Sequence, residues 1–159
     1  MNIENIRGWQ FSQMEKMIST LHYVVHSVPE AILSTVRDGG DGWTVLEVLG
    51  HLNDFEAVFH ERAQLTATKD MPDLPFPDHN QLVIDNAYNS QTVDAIYGAW
   101  KAKREAYLAY LKGLNNDAWE RPANHPKRGA FTLHDQLFLN VWHDANHLKQ
   151  IAHILRDAR

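Results

Sequence analysis

Apolar residues at Met14, Ile18, Leu21, Val25, Val28 and Ile32 alternate steps of four and three, the spacing of one buried stripe on a first long helix. Pro29 either interrupts that helix or starts a new turn, because proline has no amide hydrogen to donate to the preceding turn. The DGGDG run at 38–42 breaks the chain. Thr44, with Glu47 three residues on as a capping-box partner, then opens a second helix predicted to reach about Ala67. Pro72, Pro75 and Pro77 exclude regular helix from Lys69 to about Asn80, which leaves a long connection and room for one short helix before Tyr88. A third helix, from about Thr92 to Leu114, carries Val93, Ile96, Trp100, Tyr107, Leu111 and Leu114 on its inner face. An irregular stretch with one short turn at Asp117–Glu120 follows, and Thr132, with Asp135 as the capping acid, opens a last helix running to about Arg156.

Four long helices, no alternating strand pattern and no repeat of solenoid length predict an all-α four-helix bundle with at least one long crossover, in a single domain over 1–159. A chain of this length buries a core without covalent staples. The absence of cysteine removes disulfides, thiolate metal sites and a cysteine nucleophile, so any metal must be held by nitrogen and oxygen. A formal net charge of -5 and the lack of a dense Lys/Arg run argue against nucleic acid or an anionic membrane as partner and favour a small molecule. The amino terminus lacks the pattern of a signal peptide and no run of about 18 apolar residues occurs, so the expected compartment is the cytoplasm.

The candidate chemistry lies in histidine. His143 and His147 stand at i, i+4, which projects two imidazoles the same way off one helix, as two ligands of one ion require. His51 lies seven residues past the capping Thr44, and the pair lies eleven and fifteen past Thr132. At about 100° per residue those offsets fall within roughly 80° of one another, so all three can face inward. Three neutral imidazoles suit zinc or nickel and leave a coordination position open for water or substrate. Asp54, Asp144 and Gln150 are candidates for hydrogen bonds that fix the imidazole tautomers. Gly50, just before His51, removes a side chain where another element can approach closely.

Other histidines have weaker claims. His22 and His26 repeat the i, i+4 spacing on the first helix and read as a second pair, an alternative third ligand or, in preference, solvated edge residues. His60 and His134 point about 180° away from the candidate ligands, toward the outer surface. His79 and His125 sit in loops able to cover a pocket, and His153 has little to mark it. Arg104 falls within the inner stripe of the third helix, as a substrate-binding group or a structural ion pair. Tyr88, Trp100, Tyr107 and Trp142 read as core or pocket walls. Di-iron bundles need Glu-x-x-His pairs, zincins need His-Glu-x-x-His, and neither pattern occurs.

The segments WTVLEVLGHLNDFE, HPKRGAFTLHDQL and WHDANHLKQI, in this order, resemble the DinB-like family, also called the DinB/YfiT-like metalloenzymes, and the resemblance spans nearly the whole chain. It implies an up-down-down-up four-helix bundle, a divalent ion held by His51, His143 and His147, and a homodimer. It also implies a choice of chemistries. The leading one is transfer of a low-molecular-weight thiol, of the bacillithiol, mycothiol or glutathione kind, to a small electrophile. The alternative it offers is hydrolysis by metal-activated water, and the residues alone also admit a third, non-enzymatic reading, a stress-related metal-binding bundle.

Overall fold

The computed structural model describes residues 2–158. Helix α1, Ile3–Val25, is capped by the Asn2 side chain and buries Met14, Met17, Leu21 and Val25. It stops there rather than continuing to Ile32. Pro29 is the N-cap of a separate short helix, α2, Glu30–Thr35, whose buried residue is Leu33. The physical reason is the restriction that a proline places on the residue before it, which disfavours helical backbone at position 28.

Asp38–Gly40 makes a 3-10 turn in which Gly39 and Gly40 take φ values of 59° and 93°, a conformation that side chains resist. Helix α3, Val45–Thr68, begins on the complete capping box of Thr44 and Glu47. The proline-rich connection follows in extended form. Asp78 caps α4, His79–Asn86, and a 3-10 turn at Tyr88–Ser90 leads into α5, Val93–Lys112. Helix α6, Asn116–Trp119, fills the turn expected near Asp117.

The next stretch, expected to be irregular, forms an antiparallel hairpin of β1, Pro122–His125, and β2, Gly129–Thr132, with Ala123 opposite Phe131. Helix α7, Leu133–Asp157, starts on a second capping box, Thr132 with Asp135. No helix is long and apolar enough to cross a membrane among the described residues.

Side-chain pairs fix the helix directions. Lys103 reaches Asn53 and Arg104 reaches Glu56, so α5 runs parallel to α3. Gln136 meets Thr66 while His143 meets His51, so α7 runs antiparallel to α3. Tyr97 reaches back to Ile18, and His26 to Asp94, which makes α1 antiparallel to α5. The result is an up-down-down-up four-helix bundle, its two parallel central helices joined by the crossover that the prolines demanded.

The apolar interior falls into two halves. One gathers Leu21, Val25, Leu46, Leu49, Ile96, Trp100, Ile151 and Ile154; the other gathers Met14, Phe59, Tyr107, Leu111, Trp119, Leu133 and Leu137. Between them, at mid-height on α3, α5 and α7, lies a polar belt. The crossover presses on it from outside: the Tyr88 ring lies against Gly50, where a β-carbon would stand 2.0 Å from Tyr88 Cδ2. The close approach expected at Gly50 is thus made by an aromatic ring.

Candidate metal centre

The antiparallel pairing of α3 and α7 sets His51 against His143 and His147. The Nε2 atoms of His51 and His143 are 2.9 Å apart, and ring centroids in the trio are separated by 4.4 to 5.0 Å. Each histidine offers a ring nitrogen within 4.8 Å of the others. His51 is 5% exposed, and the other two are half-buried. Burial, reinforced by the charge His147 would carry, pushes His51 down to about 3, and the same two causes push His143 well below its ordinary value. His147 is lowered as well, by burial against the pull of its bond to Gln150. All three are therefore neutral near pH 7, with lone pairs available.

One tautomer can be assigned from its partners. Gln150 Nε2 donates to Asp38 Oδ2, which turns Oε1 of the same amide toward His147 Nδ1 at 2.9 Å. Nδ1 must then carry the proton and Nε2 the lone pair. Gln150 thus takes the orienting position expected of it. The two aspartates do not. Asp54 accepts from the Tyr88 hydroxyl at 2.6 Å and from Asn86, and burial raises its carboxyl above the usual range. Asp144 is held by Arg104, at 2.6 and 2.9 Å. Helical offset placed both carboxylates near the imidazoles, but stronger donors claim them.

Arg104 is 0% exposed and makes a second fork to Glu56, at 2.7 Å through both nitrogens, with its guanidinium over Trp100. Burial works against its charge, yet Asp144 and Glu56 hold it protonated above its already high ordinary value. Of the two roles open to Arg104, the structure shows the ion pair.

The three histidines open onto a cleft of about 280 Å³. Phe55 and Phe59 continue the α3 wall below His51, and Trp43, Phe76 and Trp142 complete the aromatic surface. His79, whose ring lies 5.8 Å from that of His51, and the buried His125 both line the cleft as expected, although from the start of α4 and the end of β1 rather than from loops. Lys127 donates its amide to His125 Nδ1, so in the neutral ring the proton sits on Nε2. Burial, with Arg62 and Arg128 next, lowers the pKa of His125. Trp142 is a rim residue, 52% exposed, whereas Tyr88, Trp100 and Tyr107 are core.

The remaining histidines stay outside. His22 and His26 stack on each other at 4.2 Å on the exposed edge of α1, and His26 bonds Asp94, which raises its pKa. His153 is exposed. His60 and His134 are away from the cleft but are half-buried rather than solvated, because the aromatic rings of Tyr107, Tyr110 and Trp119 cover them.

The sequence pattern singled out neither of the cleft's two arginines, Arg62 and Arg128, nor the apolar wall of Trp43, Phe55, Phe59, Phe76 and Leu139. A signal for Arg62 was present: His51, Phe55, Phe59 and Arg62 step by four, four and three along α3, which is one helix face. Arg128, at the hairpin turn, has no such periodicity to reveal it.

Similarity to known proteins agrees with this architecture. The chain is 26% identical over 152 residues, covering 90% of its length and 80% of the relative's, to the protein of Bacillus subtilis (strain 168) named "Putative metal-dependent hydrolase YfiT". A protein of Oceanobacillus iheyensis with the same kind of name is 24% identical over 127 residues, 80% of this chain and 72% of the other. The solved structure of YfiT superposes with a TM-score of 0.86 at 24% identity, over 95% of this chain and 86% of that one. The mycothiol-dependent maleylpyruvate isomerase superposes with a TM-score of 0.76 at 12% identity, and this chain spans 61% of that longer protein. A bundle of the same build as that of YfiT, with a family match that runs from residue 13 in the first long helix to residue 151 in the last, makes the chain a member of the DinB superfamily.

Proposed function

We propose that the chain is a metal-dependent enzyme in which His51, His143 and His147 hold one divalent ion, zinc or nickel, and in which a low-molecular-weight thiol is transferred to a small electrophile in the adjoining cleft. The observation that carries the reading is a trio of neutral imidazoles, one buried and two half-buried, one with its tautomer fixed by Gln150, at the wall of an open cleft. Two of the trio have their Nδ1 atoms buried without a partner, which leaves their Nε2 atoms as the convergent donors. When bound, a divalent ion supplies a Lewis acid that lowers the pKa of a thiol at its open position.

The chain's own residues supply the rest. Asp38 and Gln150 hold His147 in register. Phe55, Phe59 and Trp43 exclude water from one side of the cleft, and the Nε2 proton of His125 is a donor for a polar group of the electrophile. In the transfer, the S–H bond gives its proton to solvent, an S–C bond forms, and the bond from that carbon to its leaving group breaks.

The cleft favours a thiol over water as nucleophile. Among the described residues that line it, none is Asp or Glu, so no carboxylate stands ready as a general base. A thiol, with an ordinary pKa near about 8.5, needs far less help to ionise than water does. Hydrolysis of an ester or amide is the second reading, supported by the names of the relatives in Bacillus subtilis and Oceanobacillus iheyensis.

The test is turnover of a generic electrophile such as 1-chloro-2,4-dinitrobenzene by the zinc- or nickel-loaded protein, with bacillithiol, mycothiol or glutathione, beside ester hydrolysis without thiol. Thiol-dependent turnover that His143→Ala abolishes is expected. Hydrolysis with no thiol requirement would select the second reading, and no rate above His143→Ala in either assay would overturn both.

A further inference from the structure

We propose that the cleft recognises an acid: Arg62 and Arg128 form a carboxylate subsite about one aromatic ring away from the three histidines, and the ligand is a small apolar or aromatic carboxylate. The proposal rests on the preceding reading only for which end of the ligand reacts. The subsite itself stands on four observations.

The first is an unmatched buried cation. Arg62 is 2% exposed and lines the cleft, yet among the described residues no carboxylate lies within salt-bridge distance of its guanidinium. Its Nε and Nη2 both donate to a single oxygen, the carbonyl of Pro75, at 2.9 and 2.7 Å. Arg104, equally buried, is matched by two carboxylates. A buried guanidinium without a counter-ion is unfavourable unless a ligand provides one. Burial lowers the pKa of Arg62 to about 10, which leaves it charged at neutral pH.

The second is the sign of the cleft. The chain carries 20 Asp and Glu against 15 Lys and Arg, but the cleft wall holds two arginines and no acid. Arg128, exposed at the hairpin turn, has no ion pair among the described residues. Lys127 adds a third cation beside it, 4.6 Å from the ring centroid of Phe76. A divalent ion at the histidines would deepen the same positive field.

The third is spacing. The Phe59 ring lies between the two sites, 5.7 Å from the Arg62 guanidinium and 5.2 Å from the His143 ring. A ligand with its carboxylate on Arg62 and its reacting atom at the histidines is therefore as long as one ring plus a short substituent. The fourth is the wall itself: Trp43, Phe55, Phe59 and Phe76 suit an apolar body, while planar guanidinium matches a carboxylate through paired N–H bonds.

The experiment compares benzoate with its neutral analogue benzamide by titration calorimetry on the full chain, both metal-loaded and stripped by chelator. Benzoate is expected to bind at least tenfold more tightly than benzamide in both forms, to weaken with added salt, and to keep that preference in His143→Ala. Arg62→Met should abolish the preference, Arg62→Lys should retain part of it, and Arg128→Gln should reduce it severalfold. If Arg62→Met loosens the Pro75 loop and unfolds, Arg62→Lys and the exposed Arg128→Gln carry the test. Equal binding of the two probes, no benzoate binding at millimolar concentration, or an unchanged preference in both Arg128→Gln and the arginine-62 variants overturns the subsite. Loss of metal binding or turnover with the benzoate preference intact would instead refute the catalytic reading and leave the subsite standing.

Discussion

Two polar clusters share the middle of the bundle, one on α3 and α7 and the other on those two helices and α5, and they are built on opposite rules. Glu56, Arg104 and Asp144 are buried and mutually satisfied, with four hydrogen bonds between them. Of His51, His143 and His147, a turn away, only His147 is held from behind, by Gln150, and the convergent nitrogens of the trio are turned toward a cleft. A closed cluster can set the spacing of the helices. An open one can bind. The closed cluster lies directly behind the open one, since Asp144 follows His143 in the chain, so the rigidity of the first becomes the pre-organisation of the second.

The largest effect should come from opening the closed cluster. Arg104→Met leaves two carboxylates buried together and is expected to cost about 3–5 kcal/mol, read by urea denaturation. Replacing all three members by leucine or methionine should recover most of that, because no charge is then left unmatched. A loss as large in the triple variant as in the single one would show that the cluster's worth is something other than mutual neutralisation.

Filling the open cluster comes next. Zinc or nickel at 100 times its Kd should stabilise the wild-type protein by about 2.7 kcal/mol, with no gain in His143→Ala. Equal stabilisation of both proteins would place the ion elsewhere. Gln150→Leu, which frees the His147 tautomer, should weaken metal binding about 10- to 100-fold, measured by competition with a chelating dye, without the collapse expected of Arg104→Met.

Taken per unit of pH, the titration of the open cluster is the smallest step. In the metal-free protein the unfolded chain takes up protons below pH 6.5 that the buried His51 refuses until about pH 3. Stability should therefore be full above pH 6.5 and fall as the pH drops through that window, by at most about 1.4 kcal/mol per unit for this residue. His51→Phe should flatten the slope in a pH series of melts, and a slope unchanged by the substitution would mean that His51 is accessible to protons when folded.

What the sequence discloses of this molecule is whatever helical geometry determines. Thr44 with Glu47 and Thr132 with Asp135 announced the starts of the two helices that bear the trio, and angular offset from those caps was enough to bring His51, His143 and His147 to one side. What stayed hidden depends on competition between partners. Nothing in the position of Asp144 tells that Arg104 will take it, or in that of Asp54 that the Tyr88 hydroxyl will. The hairpin was invisible because PANH and GAFT lack alternating apolar residues and are paired through a turn and by the flanking loops. The cleft wall was harder still, since Arg128 reaches it from that hairpin and Phe76 from the crossover.

The contact between Gly50 and the Tyr88 ring reaches beyond packing. Tyr88 donates its hydroxyl to Asp54 and receives a bond from Asn53, so a single phenol grips the helix on both sides of His51. The rotation of that helix about its own axis is thereby indexed from outside the bundle core. Drift in the connecting segment can then re-aim one imidazole by a few degrees while all three histidines stay in place, a route by which relatives of one scaffold could come to prefer different ions or reactants without exchanging a single donor.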